Sequence, residues 1–249
     1  MRMTFHRIAY EALDVCNAVE MATLEAAVAA AGLSPGTRAL DIGSGNGAVA
    51  IRLAERFGLR VEAVELDPLM AELARSRIVA SPARDRITLH RRRSSEVLAA
   101  NPPFDLIVAL GVTEPVGGGV RDPGGMFAGL AEHLAPGGRL LWGDLVWTAE
   151  PSQPLRQIVE LANTYADHRG WQDAARAASL IVMSAELSSP AIWNRYRTTM
   201  DAAVRDWLAV NPDHPDAASI RTRADHVRLM LDFGDGALGF GLYLLRKAD

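Results

Sequence analysis

The chain has 249 residues, enough for one large α/β domain or a core domain with a modest insertion. Apolar residues make up 49% and charged residues 22%, an ordinary globular balance, and 26 basic against 30 acidic side chains leave a net charge of −4, so no basic excess points to nucleic acid. The single cysteine, Cys16, excludes an intramolecular disulfide or a cysteine metal cluster within the chain, the six histidines show no pair at metal spacing, and no apolar run reaches the ~18 residues of a membrane span.

The start, MRMTFHRIAYEALD, places charges inside any would-be signal core, so a cytoplasmic location is expected. Residues 5–32 read as one helix, with Ile8, Leu13, Val19, Met21, Leu24 and Val28 as recurring apolar positions, alanine filling much of the rest, and Gly32 as its stop. Cys16 falls in this pattern and reads as a small buried hydrophobe. After the turn at 34–36 the pattern alternates: strand 38–42, helix 46–57, strand 60–66, helix 68–80, strand 86–90, a short helix at 94–100 and strand 105–112. A glycine-rich loop, a helix at 126–135 and a strand at 139–147 follow. Five β-α repeats with short connections call for a parallel sheet covered on both faces. Beyond Pro151 the chain reads as helix 154–169, strand 179–187, helices 190–210 and 217–232, and a closing strand 238–247.

The stretch ALDIGSGNGAVA (39–50) joins the first strand to the helix after it. Backbone N–H groups at such a junction point at a ligand, and glycines let that ligand come close. Gly43, Gly45 and Ala48 satisfy the dinucleotide pattern G-x-G-x-x-A, which by itself is a weak signal. Gly47 extends the alternation and Asp41 precedes it; an acid there is unhelpful beside a pyrophosphate and useful beside an ammonium group.

DIGSGNG resembles the first motif of class I S-adenosylmethionine-dependent methyltransferases. The resemblance implies that Asp41 faces the methionine ammonium, directly or through water, with Gly43, Ser44, Gly45 and Gly47 against the methionine moiety. It implies that Glu65, with Leu66 beside it, ends the second strand where a carboxylate accepts both ribose hydroxyls; Asp67 is a nearby rival. PPFDLIVALGV is similar to the fourth-strand motif, which brings Ala109 and Gly111 to the mouth of the site, and LAEHLAPGGRLLW is similar to the element leading into strand five. The implied fold is a Rossmann-like α/β domain over residues 1–249, with seven mostly parallel strands in the order 3-2-1-4-5-7-6 and strand 7 antiparallel. Its parts are an N-terminal lid helix (5–32), a core (37–187 and 235–249) and a helical insertion (190–234) over the acceptor side. One place departs from the family: Arg93 stands where an acid usually meets the adenine amino group, and Arg cannot accept a hydrogen bond, which leaves Ser94, Ser95, Glu96 or backbone groups to hold adenine.

Methyl transfer from a sulfonium draws mainly on positioning and water exclusion, and a base is needed only if the acceptor keeps its proton. His6, Glu114 and Asp144 are the candidate bases, and Tyr10, Trp147, Trp193 and Tyr196 the candidate walls of the acceptor pocket. The segment around His6 and the insertion before the last strand are similar to bacterial methyltransferases near the ubiquinone/menaquinone and cyclopropane-fatty-acid branch. The expectation is an S-adenosylmethionine-dependent enzyme that methylates a small molecule and leaves S-adenosylhomocysteine, with no metal, nucleic acid or membrane involved. The alternatives are an NAD-dependent oxidoreductase and a non-catalytic methyltransferase-like binding protein.

Overall fold

A computed structural model describes residues 2–248. The chain runs α1 (Phe5–Glu11), α2 (Met21–Ala31), β1 (Arg38–Ile42), α3 (Ala48–Phe57), β2 (Arg60–Val64), α4 (Pro68–Ala80), β3 (Ile87–His90), α5 (Ser94–Ala100), β4 (Phe104–Leu110), α6 (Pro123–Glu132) and β5 (Leu134–Trp147). It continues through α7 (Gln153–Val159), α8 (His168–Ala177), β6 (Leu180–Leu187), α9 (Pro190–Val210), α10 (Ala217–Phe233) and β7 (Leu238–Lys247). The seven strands form one sheet in the order β3-β2-β1-β4-β5-β7-β6, parallel except for β7, which runs antiparallel to both its neighbours. This is the topology expected from the sequence.

Helix starts follow local chemistry. Asp67, Asp122 and Ser189 each cap a helix by accepting a backbone N–H, and each is followed by proline, whose missing donor costs nothing in a first turn. Two apolar cores fill the two faces of the sheet. One gathers Phe5, Leu24, Leu53, Trp193, Met200 and Leu244 beneath α1, α2, α3 and α9. The other gathers Val97, Phe127, Trp142, Trp171 and Tyr243 beneath α5, α6 and α8.

Two expectations need correction. The helix read over 5–32 is two helices separated by an irregular segment at 12–20. The alanine-rich pattern favours continuity, but the buried Asn46 side chain donates to the Tyr10 and Leu13 carbonyls (3.1 and 2.8 Å), taking backbone acceptors that a continuing helix would use. The helix read over 154–169 ends at Val159, and a separate helix starts after Asp167, whose carboxylate accepts the Gly170 N–H. Between them Asn163 donates to the Val112 carbonyl and the Thr164 N–H to the Arg121 carbonyl, and these long-range bonds override local propensity.

In the second core Trp142 stacks edge-on to Phe127 with centroids 5.3 Å apart and lies 5.4 Å from Trp171, while its indole N–H is buried without a partner among the described residues. Trp142→Ala is expected to cost about 3–5 kcal/mol, from lost burial and the cavity left behind. Trp142→Phe keeps a ring and removes the orphaned donor, so its urea midpoint should lie much nearer the wild type than to Trp142→Ala. Equal losses in the two variants would show that the ring is not what the core depends on.

Candidate functional site

The carboxyl ends of β1, β2 and β4 open onto a cleft of about 510 Å³. Open parallel sheets bind ligands at this edge, where the strand order reverses. Gly43, Gly45, Glu65, Leu66, Ser94, Ser95, Gly111 and Glu114 line it. Gly45 is left-handed (φ +54°) and a Cβ there would meet Cys16 Sγ at 2.9 Å, so only glycine lets the loop pass under the 12–20 segment. Gly111 is likewise left-handed (φ +62°), and a Cβ would lie 2.4 Å from Asn17 Oδ1. Asn17 is placed there by donating from Nδ2 to the Leu110 carbonyl at 3.1 Å.

Glu65 is anchored through both oxygens. Oε2 accepts the Gly45 N–H at 2.9 Å and Oε1 the Asp67 N–H at 2.8 Å, and burial raises its pKa. The rival acid Asp67 is occupied as the cap of α4, accepting from Leu69 and Met70. Asp41, Ser44, Gly47 and Ala109 lie behind the cleft surface rather than on it. Asp41 is buried with Oδ2 unpartnered, and burial together with the nearby Glu65 charge pushes its carboxyl up to about 7. Gly47 caps α3 and packs against Ala74. At the far end Ser94 donates its hydroxyl to the Pro115 carbonyl at 2.6 Å and keeps acceptor capacity, while Glu96 points into solvent and does not line the cleft. Arg91, Arg92 and Arg93 are exposed, and Arg92 and Arg93 line the cleft.

A second chamber of about 170 Å³ adjoins the cleft. His6, Tyr10, Asn17 and Gly111 belong to both linings, so the two cavities adjoin at this shared wall. The chamber brings Asp144, Trp193 and Tyr196 together with that wall, as expected, and adds Tyr165 and Arg223, which the sequence reading missed. The His6 and Tyr10 rings lie 5.3 Å apart, and Trp193 and Tyr196 6.2 Å apart. Burial first, and then the Arg223 charge, lower the His6 pKa, leaving a neutral imidazole able to take a proton near pH 7.

Two candidates fall outside this arrangement. Trp147 is buried away from both cavities, its indole donating to Glu160 at 3.2 Å beneath the Arg156 guanidinium, so it is packing and not a pocket wall. Glu114 faces the larger cleft and pairs with Arg121 at 2.7 Å; the Arg121 hydrogen bond holds its carboxyl below the usual range, the wrong direction for a base. Cys16 lines the cleft, but burial pushes its thiol up to about 12, so it stays protonated and unreactive. Asn17 and Asn46 were also missed. A lone asparagine carries no periodic signal, and its role is visible only through the distant carbonyls that it meets.

A family model described as a methyltransferase domain matches residues 40–140. The uncharacterized protein YjhP of Escherichia coli (strain K12) is 27% identical over 222 residues, covering 86% of each chain. The crystal structure of a SAM-dependent methyltransferase from Geobacter sulfurreducens in complex with S-adenosyl-L-homocysteine is similar at a TM-score of 0.82 and 25% identity, covering 97% of this chain and 96% of that one. The tRNA1(Val) (adenine(37)-N6)-methyltransferase of Porphyromonas gingivalis is 47% identical over 75 residues, 28% of this chain and 29% of that protein. This chain thus matches under a third of that relative's length.

Asp144 sets a pH dependence that can be measured. Burial pushes its carboxyl up to about 7, while Oδ1 accepts the Leu145 N–H at 2.8 Å and Oδ2 lies 3.5 Å from Asn163 Nδ2. The folded protein therefore keeps a proton that the unfolded chain loses near pH ~4, so this group's contribution to stability falls as pH rises from there through about 7. Asp144→Asn is neutral throughout, and its amide supplies a donor beside Asn163 Oδ1, which is buried without a partner. The stability of Asp144→Asn relative to wild type should rise by roughly 2–3 kcal/mol between pH 5 and pH 8, read from denaturant melts. A difference that does not change with pH would mean that the carboxyl titrates in its ordinary range.

Proposed function

We propose that this S-adenosylmethionine-dependent methyltransferase, which carries the class I fold and domain, delivers its methyl group to a small-molecule acceptor in the chamber behind His6, Tyr10, Asn17 and Gly111. The observation that carries the reading is the shared wall: a nucleoside-sized cleft and a smaller chamber meet at four residues, where an in-line displacement needs donor and acceptor to face each other.

The residues fit the donor. Glu65, fixed by two backbone N–H groups, keeps lone pairs for the two hydroxyls of a ribose. Gly43 and Gly45 offer a surface with no side chains to the methionine portion, and the free Oδ2 of Asp41 beneath the loop reaches the ammonium through water. Leu66, 58% exposed, gives adenine an apolar face, with Ser94 and Ser95 beside it. An acid pair around the loop also speaks against a pyrophosphate, and so against the dinucleotide reading. The bound cofactor supplies a methyl group already activated on a sulfonium. On the acceptor side, the neutral His6 takes the proton that the acceptor releases, or Asp144 does so once it is ionised, above about pH 7. Tyr10, Trp193 and Tyr196 keep water from the chamber, and α9 and α10 close its outer side. That helical insertion and the His6 segment support kinship with the ubiquinone/menaquinone-like branch. The net charge of −4 and the small chamber favour a free metabolite over a nucleotide held in RNA.

Titration calorimetry should show S-adenosylhomocysteine binding to the wild type and NADH giving no heat. Glu65→Ala should weaken S-adenosylhomocysteine by about 1–3 kcal/mol, the worth of hydrogen bonds to a charged group. Unchanged affinity in Glu65→Ala would remove this residue from the ribose site. Methyl transfer to added tRNA, with none to a deproteinised metabolite extract, would overturn the small-molecule reading.

A further inference from the structure

The chamber is lined about equally by polar and apolar atoms, with Phe5, Met200, Trp193, Leu231 and Phe240 forming its apolar part. Arg223 on α10, exposed to solvent on its other side, is the one arginine among its lining residues. The arginines nearby are spent on carboxylates: Arg228 pairs with Asp225 at 2.6 Å and Asp201 at 3.8 Å, and Arg197 pairs with Asp232 and Asp235. No ion pair among the described residues uses Arg223. The carboxyl in the same chamber, Asp144, is pushed up to about 7 by burial and takes its hydrogen bonds from Leu145 and Asn163. The Arg223 field nevertheless enters the chamber, since it lowers the pKa of His6 on the dividing wall.

The chamber also borders a groove of about 390 Å³ between α9 and α10, with which it shares Phe5, Met200, Val227 and Leu231. A permanently charged fork of donors at the lining of this chamber, in no ion pair among the described residues, suits a carboxylate or phosphate, whose oxygens it can meet bidentately.

We propose that the methyl acceptor is an anionic small molecule whose carboxylate or phosphate is held by Arg223, with an apolar body in the chamber and its nucleophilic atom at the His6–Tyr10 wall. Arg223 is then a substrate-binding residue that selects the acceptor class. This rests on the methyl-transfer reading above, and the test separates the two.

The purified protein is given methyl-tritiated S-adenosylmethionine and a deproteinised bacterial metabolite extract split by anion-exchange resin. Label is expected in the retained fraction and not in the flow-through. Treating the retained fraction with phosphatase beforehand distinguishes the sources: loss of acceptor activity identifies a phosphate, and survival a carboxylate. With that fraction, Arg223→Gln should lower kcat/KM roughly 10- to 100-fold, mainly through KM. Arg223→Lys should keep a substantial part of the activity, and S-adenosylhomocysteine should bind both variants as it binds the wild type. Label confined to the flow-through, or full activity in Arg223→Gln, overturns the assignment while leaving small-molecule methylation intact. Absence of label from every small-molecule fraction overturns that reading, and this inference with it.

Discussion

The site depends on one side chain that no periodicity marks. Asn46 sits inside the glycine loop and donates both amide hydrogens upward, to the carbonyls of Tyr10 and Leu13, while its own oxygen accepts the Ala48 N–H. Buried amides need partners, and here satisfying them ties the start of the chain to the loop at the end of β1. That tie adds to the packing of Phe5, Ile8 and Ala9 in the core and sets His6 and Tyr10 against the cleft and the chamber. Arg7 and Arg77 reinforce it by donating to the Leu69 and Glu11 carbonyls.

Electrostatically the two cavities differ. The larger has Glu65 at one side, Asp41 under its floor with its carboxyl pushed up to about 7, and Arg92 and Arg93 in its lining. The smaller has Asp144, likewise pushed up to about 7, and Arg223, which no ion pair among the described residues uses. An anionic acceptor would therefore meet a favourable charge in the smaller cavity.

Much of this was legible in the sequence because it rests on local pattern. Alternating apolar strands and capped helices set the β-α repeats, and β7 was read to the residue as 238–247. Gly43, Gly45 and Glu65, which line the cleft, stand out in the sequence because a tight turn and a strand-end acid leave a spaced motif. What escaped notice was tertiary. The break at 12–20, the separate α8, the pairing of Glu114 with Arg121 and the burial of Trp147 all depend on partners far away in the chain or on packing, and composition is silent about those. Asp41 shows the middle case: its motif position was visible, but its place behind the loop, with an oxygen lacking a partner, was not.

The shared wall has a thermodynamic consequence. His6, Tyr10, Asn17 and Gly111 face both cavities, so whatever ordering of α1 one ligand demands is already done when the other arrives. Linkage makes such an effect reciprocal: the donor raises the affinity for the acceptor by the factor with which the acceptor raises affinity for the donor. Under the proposed methyl transfer α1 would thus couple the two ligands as well as border both cavities, and spent cofactor would be held most tightly while the methylated product is still in place.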